Sequence, residues 1–467
     1  MRHAVRKFQN RTMRHARRVW RPVMAVALVF SLPSFLPAQG TLSIVDAVRL
    51  ALDQNPVLRA SGAAEGGAAE RLVQARAGFL PTIDYSETVQ YGTNPVYVFG
   101  SLLEQHRFEA SNFELARLNR PDPLTNFSSR ISVEQTVFDG NRTRDEMRQA
   151  QAGLEMTREQ TRQLRMEVLE AVAEAYYAAV LAQENQRVSE ESLATAEADL
   201  ERAVSLREAG MATDADALSL RVARAEAQER LIHAENDLAN AQARLNDLLG
   251  EPLAAPYSLS SPLRPAAPVQ SELAEFERQA LAERPEARQA GLSLAQAEAG
   301  ESMARAAFLP DIKIQGTFEA NRQGFAARGG TNWMTGMTLH WNLFRGSADR
   351  ARLAEARFLK VQREQEQRRV SSSLQLQVRQ AFLSLHAANR RMDVGVAAIA
   401  QAEENHRITA NRYEAGLANA TELLRSQTSL SEAKTRYLAA VFDQRVSTIR
   451  LARAAGNLNP SSEALQP

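Results

Sequence analysis

The side chains that could carry out chemistry are few in this sequence, and their spacing does not fit a catalytic or metal site. The 467 residues include seven histidines and no cysteine. Metal ligands recur at short, regular spacings, whereas these histidines are scattered: His3, His15, His106, His233, His340, His386 and His406. The sequence also has no phosphate-binding loop, Gly-x-Ser-x-Gly motif or cysteine nucleophile. We therefore expect no catalytic residue, no metal and no cofactor.

Two acids stand out because their surroundings match. Asp216 and Glu422 are 206 residues apart, and each follows a polar residue three positions earlier, Thr213 or Asn419. This pattern is typical of a helix N-terminal cap, in which the acid closes onto the backbone N–H of the capping residue. We expect a long helix to begin at each of these sites.

The matching acids belong to a repeat that covers most of the chain. The tripeptide Phe79-Leu80-Pro81 returns 229 residues later as Phe308-Leu309-Pro310. Further on, Gly140, Gly210 and Gly250 return after 206 residues as Gly346, Gly416 and Gly456. The two spacings differ because the first copy is longer by 23 residues between Pro81 and Gly140. The sequence predicts a duplicated chain, with repeats at 39–250 and 271–456, a proline-rich linker at 251–270 and a tail at 457–467.

Each repeat is predicted to have the same order of elements. A helix containing one proline leads into a β-hairpin, at 82–139 in the first repeat and 311–344 in the second. In the second hairpin the apolar residues Ile312, Ile314 and Phe318 alternate with polar ones, as do Trp333 to Leu343 on the return strand. Such alternation predicts strands with one apolar and one polar face.

A pair of very long helices is predicted to follow each hairpin, at 141–249 and 346–455. No proline interrupts either stretch, and a helix of nearly 70 residues is about 100 Å long, so it must lie along partner helices. One seam alternates small and large residues at heptad spacing: Ala227, Leu231, Ala234, Leu238, Ala241, Leu245 and Leu248. A coiled coil in a structural protein would explain this stretch alone, but not the hairpins.

Four strands with an apolar face cannot close a barrel by themselves. A bilayer does not tolerate open sheet edges, and the smallest common membrane barrels have about eight strands. Two copies of the chain would supply eight strands and three would supply twelve. Phe138, Trp333, Trp341 and Phe344 would then lie at the membrane interfaces. The alternative is a small soluble sheet with tryptophan in its core.

The first residues differ in composition from the rest. Residues 1–38 combine a basic start with an apolar stretch that ends near Ala38, which predicts a signal peptide. The first 45 residues hold eight basic and no acidic residues, so the remainder has 48 basic and 55 acidic groups and a net charge of −7. This acidic body argues against a nucleic-acid partner.

Together these motifs resemble the TolC-like outer membrane efflux proteins over about residues 42–459. The likeness rests on the paired Phe-Leu-Pro motifs, the Phe-x-Gly sequences at Phe138 and Phe344, and the turn Tyr413–Ala418 followed by Leu423-Leu424. It implies a mainly α fold with membrane β-strands: a homotrimer whose twelve-stranded β-barrel in outer membrane lipid continues into a periplasmic α-barrel of coiled-coil helices.

The resemblance also implies a function. Such proteins are passive exit ducts of tripartite efflux or type I secretion systems, connected to an inner-membrane pump by a periplasmic adaptor (membrane fusion protein). The cargo remains open among drugs, metal ions and proteins. The alternative is a periplasmic coiled-coil structural or adaptor protein, which would be soluble and have globular hairpins.

The resemblance assigns roles to the two helix turns. They would surround the periplasmic aperture, with Asp216, Glu422 and Tyr413 in its network and the acids favouring cations. Arg425 stands where family members can carry a second acid, so the charge of the aperture would differ here. We expect the adaptor to contact the turn tips: Gly210, Met211, Ala212, Gly416, Leu417 and Ala418. Residues 92–126 are expected to face the cell exterior.

Overall fold

The computed structural model describes residues 40–466, so the predicted signal peptide at 1–38 lies outside the described residues. The described residues fall into two units. The small unit contains Gly40 and Pro256–Ser258, and the large unit contains residues 41–255 and 259–466. The small unit contributes parts of two three-residue strands, β1 (Gly40–Leu42) and β4 (Tyr257–Leu259). The features described below belong to the large unit.

The large unit is mainly helical. Its α-helices are α1 (Ile44–Gln54), α2 (Pro56–Ala77), α3 (Pro95–Glu104), α4 (Leu115–Asn119), α5 (Arg142–Glu208), α6 (Asp214–Leu249), α7 (Leu273–Glu283), α8 (Pro285–Ala306), α9 (Ala348–Glu414) and α10 (Ala420–Ala455). Short 3₁₀ turns lie at Ala110–Phe113 and Glu463–Leu465. The two prolines predicted to interrupt helices each occupy the first turn of a new helix, Pro56 in α2 and Pro285 in α8, where a missing N–H is harmless.

The long helices form two antiparallel pairs, α5 with α6 and α9 with α10. Helices α5 and α9 have 67 residues each, and α6 and α10 have 36 each. Along the heptad seam of α6, Ala227, Ala234 and Leu245 are buried, while Leu231 and Leu238 are half-buried. Small side chains at these positions let the helix axes approach closely.

Four strands form one antiparallel sheet in the order β2-β3-β5-β6. They are β2 (Thr82–Gly92), β3 (Leu124–Phe138), β5 (Asp311–Arg322) and β6 (Gly330–His340). On one face, Ile131 of β3 is opposite Phe318 of β5, which is opposite Trp333 of β6. This apolar face is open: the side chain of Trp333 is 75% exposed. Arg130, Glu134, Lys313 and Glu319 lie on the opposite, polar face.

The linker and the C-terminal tail are fixed against the helices. Tyr176 of α5 donates its hydroxyl to the carbonyl of Leu42 (2.8 Å) and accepts from the N–H of Ser261 (3.0 Å). Buried Arg445 of α10 donates to the carbonyls of Arg264 (2.5 Å) and Gln466 (2.8 Å). A proline-rich segment and a chain end, which have no regular backbone pairing, thereby gain a defined position.

Within residues 40–466, the helices are all too short or too polar to cross a lipid bilayer. The same residues contain no group of three or more histidine or acidic side chains arranged to hold a metal ion.

Candidate functional site

The two turns that end the long helix pairs have the same backbone geometry. Gly210 and Gly416 adopt positive φ angles of 76° and 68°, a conformation that glycine adopts without steric cost. In each turn a backbone N–H donates a hydrogen bond to the carbonyl five residues earlier. Met211 donates to Leu206 and Leu417 donates to Arg412, both at 2.8 Å. This arrangement is a Schellman cap. The predicted tip residues Met211 and Leu417 are 66% and 69% exposed, whereas Ala212 and Ala418 are half-buried.

Asp216 caps the start of α6 as its sequence pattern predicts. Its carboxylate accepts from the Thr213 hydroxyl (2.7 Å) and backbone N–H (3.1 Å), while its own N–H donates to the Thr213 hydroxyl (3.2 Å). These bonds from Thr213 lower the pKa of Asp216, with a smaller contribution from the backbone N–H of Ala420. Ala420 is the first residue of α10, so the Asp216 carboxylate also interacts with the second helix pair.

Glu422 uses its carboxylate differently from Asp216. The capping residue Asn419 accepts from the Glu422 N–H at 2.9 Å, but the Glu422 carboxylate lies 3.9 Å from the guanidinium of Arg412. Arg412 also donates to the carbonyl of Leu417 (3.1 Å), which ties the turn to the end of α9. Arg425 is exposed in a groove between α6 and α10 that is also lined by Ser219, Thr421, Leu424, Thr428 and Ser429.

Tyr413 lies in the apolar contact between the two turns. It is 4% exposed and packs with Ala203, Leu220, Ala420 and Leu423, which come from the other three long helices, α5, α6 and α10. Its hydroxyl is buried and has no hydrogen-bond partner among the described residues. Burial raises the pKa of Tyr413, and the charges of Asp216 and Asp199 raise it further. The structure thus brings Tyr413 and Asp216 together, with Glu422 beside Arg412 and Arg425 on the outside.

The comparisons with known proteins agree with this architecture. A family model described as "Outer membrane efflux protein" matches residues 47–251 and 277–457. The chain belongs to the outer membrane efflux protein family. The likeness to TolC-like proteins predicted from the motifs is therefore confirmed. Membership makes the protein an outer membrane efflux protein, in a family of transport proteins.

Several known proteins are similar to this chain over nearly its whole length. Protein CyaE of Bordetella pertussis is 26% identical over 428 residues, which is 90% of this chain and 85% of CyaE. A membrane protein from Pseudomonas aeruginosa (TM-score 0.77) is 21% identical and covers 88% of this chain and 93% of its own. The CmeC outer membrane channel of Campylobacter jejuni (TM-score 0.76) is 16% identical, covering 90% and 87%. The open state of the Neisseria gonorrhoeae MtrE channel (TM-score 0.74) is 18% identical, covering 88% of each.

The interface aromatics predicted for this efflux protein lie at the ends of the strands. Phe138 ends β3, and Trp341 and Phe344 follow β6, where the chain enters the long helices. Trp333 lies near the opposite end of β6. All four side chains are exposed, and the indole N–H of Trp341 donates to the carbonyl of Phe308 at 3.1 Å.

Sequence reasoning missed a buried acid near the turns of this efflux protein. Asp199 of α5 is 4% exposed. One of its carboxylate oxygens accepts from Arg202 (3.3 Å), which also pairs with Glu414 of α9 (3.2 Å). The other oxygen has no partner among the described residues. The spacing of Asp199 from Ala196 and Ala203 could have indicated that the three residues share one helix face, because positions three and four apart lie on the same side of a helix.

Replacing this acid is expected to stabilise the protein at high pH. Burial, with a smaller effect from Glu414, raises the pKa of Asp199 despite the charges of Arg202 and His406. A raised pKa means that the fold favours the protonated acid, so stability is highest at low pH and is lost as the pH rises through the folded-state pKa. We expect Asp199→Asn to raise the free energy of unfolding at pH 8 by about 1 kcal/mol. The variant should therefore unfold at a higher temperature than the wild type.

The measurement is thermal unfolding in mild detergent, followed by circular dichroism at pH 8 and at pH 4. The gain of Asp199→Asn should be smaller at pH 4 than at pH 8, because the raised pKa favours protonation of the wild-type acid as the pH falls. Asp237→Asn, which changes an exposed acid on α6, is the control and should unfold like the wild type at both values. A variant less stable than the wild type at pH 8 would mean that the Arg202 pair outweighs the cost of burial.

Proposed function

We propose that the protein is the passive exit duct of a tripartite efflux or type I secretion system. In this proposal three copies of an internally duplicated chain form a twelve-stranded β-barrel in the outer membrane and a helical tunnel through the periplasm. A periplasmic adaptor connects the tunnel to an inner-membrane pump, which supplies the energy. The family membership supports the channel function, and the features below support the finer assignment.

The four-stranded sheet carries the proposal. Its apolar face has Ile83, Tyr85, Phe318, Trp333 and Met337 exposed, although large apolar patches on soluble proteins are normally covered. Both edges of the sheet are also unpaired within residues 40–466, and the edge strands β2 and β6 have 11 residues each. In a symmetric ring, β6 of one copy would run antiparallel to β2 of the next. Equal lengths suit such a closure, and lipid would cover the apolar face.

The helices support the tunnel and the duplication. The two helix pairs have identical lengths, 67 and 36 residues, and both end in a Schellman cap at glycine. Four long helices from each of three copies would give a ring of twelve. Exposed apolar side chains run along α9, among them Phe358, Val361, Leu376 and Leu383, and a neighbouring copy would bury them.

The turns are proposed as the periplasmic aperture and adaptor contact. Six turns would meet at the end of the trimer farthest from the strands, with Asp216 and Glu422 contributing negative charge and Arg425 positive charge. At each tip one exposed apolar side chain, Met211 or Leu417, forms a small contact surface. We propose that helical hairpins of the adaptor dock on these tips.

The first test is the native mass of the protein extracted in mild detergent from purified outer membranes. The proposal predicts a mass three times that of the mature chain, and discrete ion-conducting channels when the same preparation is added to a planar lipid bilayer. A mass twice that of the mature chain would contradict the trimer. A monomer recovered from the soluble periplasm would contradict the barrel and favour a coiled-coil scaffold.

A further inference from the structure

The segment between β2 and β3 is a folded element and not a loose loop. We call residues 93–123 the insert; it contains α3, the 3₁₀ turn at Ala110–Phe113 and α4. Phe99, Phe108 and Phe113 stack edge to face in sequence, with ring centroids 4.8 and 5.1 Å apart. The hydroxyl of Tyr97 donates to the carbonyls of Gln90 (2.9 Å) and Leu124 (3.2 Å). These contacts give the insert its own core and fix both of its ends to the strands.

Three buried polar side chains connect the insert to the sheet. The amide of Gln105 donates to the carbonyl of Thr125 (3.0 Å) and to the side-chain oxygen of Asn126 (2.9 Å). Asn126 in turn donates to the side chain of Asn321 on β5 at 2.7 Å. Gln105, Asn126 and Asn321 are between 0 and 3% exposed. Elsewhere this sheet is largely open, so these side chains are buried because the insert covers them.

The face to which the insert binds follows from the alternation of the strands. Asn126 has the same parity as Arg130 and Glu134 on β3, and Asn321 has the same parity as Lys313 and Glu319 on β5. Since alternate residues of a strand point to opposite faces, the insert lies on the polar face. In a barrel whose apolar face meets lipid, the polar face lines the lumen.

A close contact with β6 shows how far the insert extends across the sheet. A Cβ atom added to Gly330 would lie 2.1 Å from the carbonyl oxygen of Glu104, the last residue of α3, and 2.7 Å from the ring of His106. Gly336 lies on the same face of β6, but a Cβ atom added there would have no neighbouring atom within 4 Å. The close contact is therefore confined to the end of β6 at Gly330. The insert therefore crosses from the β2–β3 end to β6, the opposite edge of the sheet.

We propose that the insert narrows the lumen of the channel at its outer end and limits the size of what can pass. This proposal rests on the proposed function, since it assumes that the sheet forms part of a barrel. The strand ends that hold the insert, at Gly92, Leu124, Arg322 and Gly330, are opposite the ends that lead into the long helices. In a trimer, three inserts would project over one opening from three sides, and each would be held by buried hydrogen bonds.

The test uses the absence of cysteine from the natural sequence. A single cysteine is introduced by Gln315→Cys, at an exposed position on the polar face of β5. Whole cells are treated with a small maleimide or with a maleimide carrying a bulky polyethylene glycol chain. We expect the small reagent to label Gln315→Cys and the bulky reagent to label it poorly. Replacing residues 96–121 by a short Gly-Ser linker should raise labelling by the bulky reagent about tenfold or more, as removal of a steric barrier predicts.

Two point variants test the same contact without a deletion. Gly330→Ala should displace α3 and raise bulky labelling of Gln315→Cys, whereas Gly336→Ala on the same strand should behave as the parent. Ala326→Cys, exposed at the β5–β6 turn, is expected to react with both reagents in every background. Bulky labelling that is equal with and without the insert would overturn the constriction but leave the barrel intact. If the small reagent labels Ala326→Cys but not Gln315→Cys, the lumenal position of the polar face, and with it the proposed function, is wrong.

Discussion

Replacing Arg284 by alanine is expected to destabilise the protein by about 3–5 kcal/mol, because the change leaves a partly buried carboxylate without its partner. Arg284 is 3% exposed and lies between α7 and α8. Its guanidinium donates to Glu286 (2.5 and 2.9 Å), to Gln377 of α9 (3.1 Å) and to the carbonyl of Ala454 in α10 (3.3 Å). One side chain therefore joins three helices, α8, α9 and α10.

The same variant should lose part of the acid sensitivity of the wild type. Burial by itself would raise the pKa of Glu286, but the hydrogen bonds and charge of Arg284 outweigh it and hold the pKa below its usual value. A lowered pKa gives stability that is present above the unfolded-state pKa and is lost as the pH falls through the folded-state pKa. Unfolding by denaturant in detergent at pH 7 and at pH 3 measures both effects.

Arg278→Ala is the matched control for Arg284→Ala. Arg278 lies on α7, six residues earlier, and pairs with Glu275, but its side chain is 77% exposed. Exposed ion pairs contribute about 0–1 kcal/mol, so this variant should unfold close to the wild type. Equal losses for the two arginine variants would contradict the assignment of Arg284 as a buried connection.

Asp216→Ala is expected to raise the open fraction of the channel under the proposed function. The carboxylate of Asp216 caps α6 and also faces the first N–H of α10, so it holds the two turns side by side. Loss of a capping interaction of about 1 kcal/mol shifts a two-state equilibrium about fivefold. Single-channel recording should therefore show about a fivefold larger ratio of open to closed time.

Thr213→Ala separates the two roles of Asp216. This variant removes the hydroxyl that Asp216 binds but keeps the carboxylate beside Ala420. If the contact between the turns governs opening, Thr213→Ala should lose helix stability and change the open fraction much less than Asp216→Ala. Equal changes in the ratio of open to closed time in both variants would instead attribute the effect to capping of α6 alone. No change in either would contradict the role of Asp216 at the aperture.

The sequence predicted those features that depend on local pattern. Alternation from Ile312 to Phe318 indicated a strand, and β5 is there; a proline-free stretch with helical composition indicated the long helices. The capping motif at Thr213 and Asp216 was also readable, because all its atoms come from four consecutive residues. The mainly helical class was predicted in the same way, and the efflux protein family was predicted from the resemblance of the motifs and their order.

Features that depend on distant residues could not be predicted. The spacing of Asp199 places it on one helix face with Ala196 and Ala203 but does not show what covers that face, and Arg202 pairs with a residue more than 200 positions away, Glu414. The insert was expected only to face the cell exterior. Its position on the polar face depends on Asn126 and Asn321, which are brought together by the pairing of β3 with β5.

The open sheet has a consequence for how the protein is made. A single copy presents an uncovered apolar face around Trp333 and two unpaired strand edges, both of which promote aggregation in water. Under the proposed function, such a chain would have no stable resting state before it meets its neighbours and a membrane. Its biogenesis should then be concentration-dependent, with folding of the strands, assembly and insertion occurring as one event, and newly exported copies would require a holding chaperone until that event.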